Sequence, residues 1–278
     1  MRRFLTIFSL VSRVPIKAAF EPDYSRADFW LPLVAPLASV AALAGLAIGH
    51  WLWKSAALAI VSALAFQYAA FNLFHLDGLL DSADAMLPFA SKEKRLEILK
   101  DSRIGTYAFG AGVLCLGAKA IALVELAAFQ DASASSAATA VAARATSLVG
   151  PGSIAAFLGA PVAGRAAAAL VPLLSPPARP TGLGVLMRDF SALRLALGFS
   201  IALLPLGAWT LVTGQTAIGA TAAIAAFLSA IGAGFFCARL YKSRVGGFTG
   251  DALGAAVELG ELCAILALAA LIPRLALA

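Results

Sequence analysis

Charge is scarce in this chain of 278 residues. Only 13% of them are Asp, Glu, Lys or Arg, 61% are hydrophobic, and the mean hydropathy is +0.90. So little polar surface cannot coat a water-soluble globule, which excludes a soluble domain. Histidine and cysteine are scarcer still, with two and three residues. Cys115, Cys237 and Cys263 each lie in an apolar stretch at no metal-ligand spacing. They indicate neither a disulfide framework nor a thiol nucleophile and read as small buried hydrophobes. Internal repeats are lacking as well, so neither a solenoid nor an inverted-repeat transporter is signalled.

What is abundant is long apolar runs. A membrane helix needs about 20 mostly apolar residues, and the windows 30–49, 55–74, 104–128, 137–160, 195–213, 217–238 and 252–272 meet that requirement. The expected fold is all-α: a polytopic integral membrane bundle of about seven helices, forming one domain over residues 1–278. The window 104–128 carries Lys119 and Glu125, and 137–160 carries Arg144 and Pro151. The opening MRRFLTIFSLVSRVPIK is interrupted by Arg13, Pro15 and Lys17 and lacks a small-residue cleavage site. It reads as a cytoplasmic amphipathic segment rather than a signal peptide. The Pro-rich stretch VPLLSPPARPTGLG, residues 171–184, reads as a non-helical connector dividing the spans into four and three.

With these spans, seventeen Lys and Arg fall on the side of the N-terminus, Arg165 in the 161–194 loop among them, and two, Lys54 and Arg274, on the other. The positive-inside rule puts the N-terminus in the cytoplasm. The net charge of +6 follows from topology and anionic lipid, and makes no case for nucleic acid.

Against this background, FHLDGLLDSADAML (74–87) is unusual. Asp77, Asp81 and Asp84 fall at i, i+4 and i+7, so a continuing helix projects all three from one face at the membrane boundary. Hard carboxylate oxygens there suit Mg²⁺, which typically takes one or two of them with waters and substrate phosphates. A solvated acidic face is the plain alternative, and His75 alone is an ordinary interfacial hydrogen-bonder. The following loop tips the balance. In LKDSRIGTY, Lys100 and Arg103 flank Asp101 and offer phosphate-binding cations, while Gly105 permits close backbone approach. The turn GGFTG (246–250) offers backbone N–H groups to a phosphate. Glu258 and Glu261 must enter the last span, because the apolar tail 262–273 is too short alone. With Asp251 they share one face and should point into the bundle, where pairing with Lys119 or Arg144 for packing is the competing reading. Together these features indicate a membrane enzyme with a Mg²⁺-carboxylate site and phosphate-binding cations at its cytoplasmic face, which means phosphoryl transfer.

HLDGLLDSADAM, RLEILKDSRIGTY and GGFTGDALGAAVELGE, in that order, closely resemble the integral-membrane cobalamin synthase family, the adenosylcobinamide-GDP ribazoletransferases. The SRVPIK and YSRADFWLPLVAPL segments are also similar. One departure is Ala85, where the family pattern has glycine after the third aspartate.

The resemblance implies attack by the 3′-hydroxyl of α-ribazole, or of its 5′-phosphate, on the phosphate nearest cobinamide in adenosylcobinamide-GDP. GMP leaves, Mg²⁺ is required, and the setting is the bacterial inner membrane. On that footing Asp77, Asp81 and Asp84 are the expected Mg²⁺ ligands, with Asp101 a candidate fourth. Lys100 and Arg103 clamp phosphate oxygens, His75 or Asp101 takes the hydroxyl proton, and Asp251 and Glu258 are candidates for substrate binding. The basic loops are candidate contacts for other corrinoid-assembly enzymes. A CDP-alcohol phosphotransferase is the nearest alternative, although no Ala-Arg follows Asp84 as its signature requires. A transporter lined by Lys119, Glu125, Arg144, Glu258 and Glu261 is a more distant one.

Overall fold

The computed structural model describes residues 1–16, 20–129, 149–181, 183–187 and 189–275. Among these residues there is no strand. Seven helices of 22 to 31 residues are long and apolar enough to cross a bilayer. Among the described residues the helices longer than one turn are, in chain order, α1 (Arg2–Val11), α2 (Ala27–Trp53), α3 (Ala56–Met86), the short α4 (Lys92–Ile98), α5 (Thr106–Ala128), α6 (Pro151–Leu174), α7 (Ala192–Thr213), α8 (Thr216–Val245) and α9 (Gly250–Leu275), with a single turn, Leu183–Leu186, in the connector. The expected bundle of about seven spans, four before the Pro-rich connector and three after it, is what the chain forms.

Local chemistry explains the boundaries. Lys54 turns left-handed (φ 51°) to end α2, and Ser55 caps α3 by accepting the Leu58 N–H. Gly246, at φ 89°, closes α8 in a conformation that suits glycine. Pro151 does not interrupt a helix but begins one, at the first turn of α6 where its missing N–H costs nothing. That finding corrects the expected span 137–160, of which residues 137–148 lie outside the described residues; so does Arg144. At its other end α6 runs through Val171–Leu174, Pro172 included, so this part of the Pro-rich stretch is helical after all. Neighbouring helices make such a proline tolerable.

The consequence for Arg165 is large. Counted as a loop residue by sequence, it lies in the middle of α6 and is 0% exposed.

α6 is built from small residues and buried along nearly its whole length, with α2, α8 and α9 packed around it. α3 crosses α9 at Gly78 and Gly254. A Cβ on Gly78 would stand 3.0 Å from the Asp251 carbonyl oxygen and from the Gly254 Cα. This backbone contact brings the acidic end of α3 beside the start of α9. The amphipathic α1 lies against the bundle, with Phe4 meeting Trp30 edge-on and Phe8 meeting Phe71. Cys115 and Cys237 are buried as expected, whereas Cys263 is exposed on the outer face of α9.

Midway along α3 the helix widens into a π-turn, Tyr68–Asn72. In a regular α-helix Gln67 and Asn72 would point about 140° apart. The wider turn lets Gln67, Tyr68 and Asn72 all face α9. The Ala70 carbonyl within this turn accepts the N–H of Arg13 at 2.8 Å, so the strap after α1 satisfies it.

Candidate active site

Asp77, Asp81 and Asp84 continue on α3 as one helix past Phe74, as the i, i+4, i+7 spacing requires. Asp77 is exposed, and Asp81 and Asp84 are half-buried. Asp77, Asp84 and Asp251 all lie close enough to Asp81 for their charges to act on it. Two helices thus supply four carboxylates to one rim. None of the four is salt-bridged to a lysine or arginine among the described residues. Asp251 accepts the Thr249 hydroxyl at 2.9 Å, and the charge of Arg179 reaches it.

Asp84 has a second task. Its oxygens accept the N–H groups of Gly105 at 2.6 Å and Ala108 at 2.9 Å, so it caps the N-terminus of α5 from another helix. The close approach that Gly105 permits is to this carboxylate: a Cβ there would sit 2.6 Å from Asp84 Oδ1. Behind the cluster, Ser82 and the buried Tyr241 share a hydrogen bond of 2.6 Å. Arg95, itself buried, donates to the carbonyls of Ala85 and Pro88 and closes the end of α3. Ala85 is fully buried inside this continuous helix, which needs no glycine there to turn the chain.

Asp101 and Arg103 meet each other rather than the cluster. Arg103 Nε donates to Asp101 Oδ1 at 2.9 Å and Nη2 to Oδ2 at 2.5 Å. These side-chain bonds, with one from the Arg103 backbone N–H, hold the Asp101 carboxyl at about 2, well below its usual range. Lys100 is exposed beside them. The GGFTG turn is less available than its sequence implies. The Gly246 N–H goes to Lys242, and Phe248 pairs with the connector, its N–H on the Pro176 carbonyl and its carbonyl on the Ala178 N–H, both at 2.8 Å.

Glu258 is elsewhere. It lies about two helical turns, roughly 10 Å, along α9 from Asp251 and is 0% exposed. There it joins a buried polar network that sequence reasoning only half anticipated. Lys119 Nζ donates to Glu258 at 2.7 Å, to Glu261 at 2.9 Å and to Tyr68 Oη at 3.0 Å. Arg165 bonds Glu261 through Nη1 at 2.5 Å and Asn72 Oδ1 through Nη2 at 2.8 Å. Tyr68 donates to Glu258 at 2.5 Å, and Asn72 Nδ2 reaches both glutamates. Two cations and two anions cancel inside the bundle. Pairing with Lys119 was the competing reading of Glu258 and Glu261; Arg165, Tyr68, Asn72 and Gln67 were missed. The signal was present, because three amide or phenol side chains inside an apolar run are expensive unless partnered. His75, 3% exposed, looks toward this network: the charges of Arg165, Glu261 and Lys119 act on it, and its Nε2 has no hydrogen-bond partner.

The class follows from this arrangement: a polytopic membrane protein that gathers acidic groups where its bundle meets water. Comparison with known proteins makes it particular. Residues 3–269 match the family described as cobalamin-5-phosphate synthase. The chain is 32% identical over 273 residues to adenosylcobinamide-GDP ribazoletransferase of Citrobacter koseri, covering 95% of this chain and 98% of that one. It is 36% identical over 269 residues to the protein of that name from Leptothrix cholodnii, covering 95% and 94%. The Escherichia coli protein of that name is 31% identical over 278 residues, covering 95% and 98%. No solved structure matches. The chain belongs to the cobalamin-5-phosphate synthase family.

Proposed function

We propose that this enzyme moves the cobinamide phosphate of adenosylcobinamide-GDP onto the 3′-hydroxyl of α-ribazole, or of α-ribazole 5′-phosphate, releasing GMP. It does so in the bacterial inner membrane, with N-terminus and site facing the cytoplasm. Family membership over residues 3–269 supports the reading, and with Arg165 inside α6 and Arg144 now falling between α5 and α6 in sequence, the basic residues of the two faces still divide sixteen against three. The observation that carries it is the rim itself, where Asp77, Asp81, Asp84 and Asp251 act on one another with no salt-bridged cation among them.

Such a donor set fits Mg²⁺. Like charges on two helices repel unless a cation sits between them, and carboxylate oxygens are the hard ligands that ion takes. Among the described residues no three acidic, histidine or cysteine side chains close a cage by themselves. Asp77 and Asp81 would hold Mg²⁺, Asp84 and Asp251 keep lone pairs beyond their present bonds and could join them, and Asp101 would be free to do so only without its bonds to Arg103. When bound, Mg²⁺ neutralises diphosphate charge and orients its oxygens.

The protein's own groups do the rest. Lys100 and Arg103 are exposed at the same end and take phosphate oxygens. Held at about 2, Asp101 is a poor base while Arg103 grips it. Transfer of Arg103 to a substrate phosphate would raise its proton affinity, coupling substrate arrival to base activation. His75, with an unpartnered Nε2, is the alternative base. Glu258 serves by holding α9, not by touching substrate.

The test is GMP release by the purified protein in detergent, with Mg²⁺ or EDTA, wild type beside Asp81→Asn. Mg²⁺-dependent formation of the cobalamin product, lost in a folded Asp81→Asn, is expected. No turnover by folded wild type would sink the reading.

A further inference from the structure

A cavity of about 560 Å³ lies under the connector between α6 and α7. Its described walls are mostly apolar, with Pro172 and Leu173 from the end of α6 and Val185, Met187 and Phe190 from the connector, and among the described residues one carboxylate, Asp189, stands with them. Pro177 and Gly184 form one wall, and the same two residues wall a smaller cavity of about 110 Å³ bounded by Arg179, Thr249 and Gly250. Thr249 is bonded to Asp251, and the charge of Arg179 acts on that carboxylate. The two cavities thus share a wall, and the smaller one is lined by Arg179 and by Thr249, the partner of Asp251.

The chamber is held in shape. The paired backbones of Pro176–Ala178 and Phe248 tie its wall to the start of α9. On the other side Arg194 bonds both the buried Asp28 and the Asp189 carbonyl, and the Ser191 N–H bonds Asp28 at 2.6 Å. Asp189 itself sits at φ 58°, a left-handed backbone that aspartate adopts more readily than most side chains. Arg194 thus braces the backbone of Asp189 and the side chain of Asp28.

We propose that this chamber takes the guanine base of the nucleotide-activated substrate, with Asp189 reading the edge of the ring and Arg179 meeting the phosphates next to Asp251. The inference rests on the function proposed above, whose GDP-activated substrate is the one named for the relatives. The chamber's size is that of a small-molecule site, and mostly apolar walls with a carboxylate among the described residues suit one. Guanine presents two adjacent donors, N1–H and the 2-amino group, which match the two oxygens of one carboxylate, an acceptor only. Adenine presents a lone pair at N1 and is repelled; hypoxanthine keeps N1–H but lacks the 2-amino group. The geometry also orients the substrate, with the nucleotide half under the connector and the cobinamide half on the opposite side of Asp77 and Asp81.

Two measurements on the full chain in detergent test this. In the first, GMP, IMP and AMP are compared as ligands by thermal protection of wild type. GMP should protect at roughly tenfold lower concentration than IMP and more strongly still against AMP, the size of one charge-assisted hydrogen bond. In the second, Asp189→Ala should raise KM for the guanosine-activated substrate roughly tenfold, leave kcat within about twofold, and bring the inosine- and guanosine-activated substrates to the same KM. Equal protection by the three nucleotides overturns the proposal, even if Asp189→Ala does not fold. So does a folded Asp189→Ala that still discriminates between the two substrates. In either case turnover by wild type leaves the proposed reaction standing. Conversely, selective protection by GMP without turnover keeps the chamber and removes the reaction.

Discussion

Replacing Lys119 by methionine probes the buried network most directly. The ammonium uses all three of its hydrogens, on Glu258, Glu261 and Tyr68, at 2.7, 2.9 and 3.0 Å. Methionine fills similar space with no donor, so two carboxylates at 0% and 2% exposure are left sharing the charge of Arg165. Removing one partner from a buried ion pair costs about 3–5 kcal/mol, chiefly because the remaining charge is stranded. At about 2–4 °C per kcal/mol for a chain of this size class, the melting temperature in detergent should fall by on the order of 10 °C. The second half of the experiment is Lys119→Met with Glu258→Gln, which cancels the stranded charge. The double variant should lose less than the sum of the two singles, by about 1–3 kcal/mol. A Lys119→Met protein that melts with wild type, or a cycle additive within about 0.5 kcal/mol, would refute the argument.

Three further outcomes follow from the geometry. Gly78→Val should part α3 from α9, since its Cβ alone would meet the Asp251 carbonyl at 3.0 Å; a loss of about 1–3 kcal/mol, with transfer activity falling more than stability, is expected from melting and GMP release measured side by side. Mg²⁺ should raise the melting temperature of wild type as any ligand of the folded state does, and should leave an Asp77→Asn/Asp81→Asn protein unmoved; equal protection of both would detach the ion from these residues. Arg103→Met should return Asp101 from about 2 toward its ordinary 3.8, read from the ¹³C shift of its carboxyl. Because the folded value is depressed, the pair's contribution is present above about 3.8 and is lost as pH falls through about 2.

Much of this was legible in the sequence, and the failures have identifiable causes. The apolar runs revealed the spans, and the i, i+4, i+7 spacing aligned the three aspartates. The short tail after Glu261 forced both glutamates inward, and they are buried. Arg165 was misassigned because Pro151 was taken to lie inside a span that it in fact begins, which shifts the fourth span toward Leu174. A window scored on hydropathy alone prefers Ala-rich 137–160 to a segment containing an arginine, although burial against Glu261 makes that arginine affordable. The π-turn has no signature in a single sequence, so the convergence of Gln67, Tyr68 and Asn72 was invisible. The approach of Asp251 to Asp81 depends on two glycines, Gly78 and Gly254, that are 176 positions apart. Local spacing cannot report such a meeting.

The charge balance of the network also sets a clock on the making of the protein. Lys119 and Arg165 belong to the third and fourth spans, but both of their anions arrive on the seventh. Lys119 and Glu258 are 139 residues apart, which at about 5–20 residues per second is roughly 7–30 s of synthesis. Lys119 waits through that interval and Arg165 through the 96 residues before Glu261, each a mid-helix cation at about 2.5–3.5 kcal/mol in hydrocarbon. A nascent chain stopped before Gly250 is therefore electrically unfinished. The half-built bundle must be sheltered by the insertion machinery or shed to proteolysis until its last helix comes home.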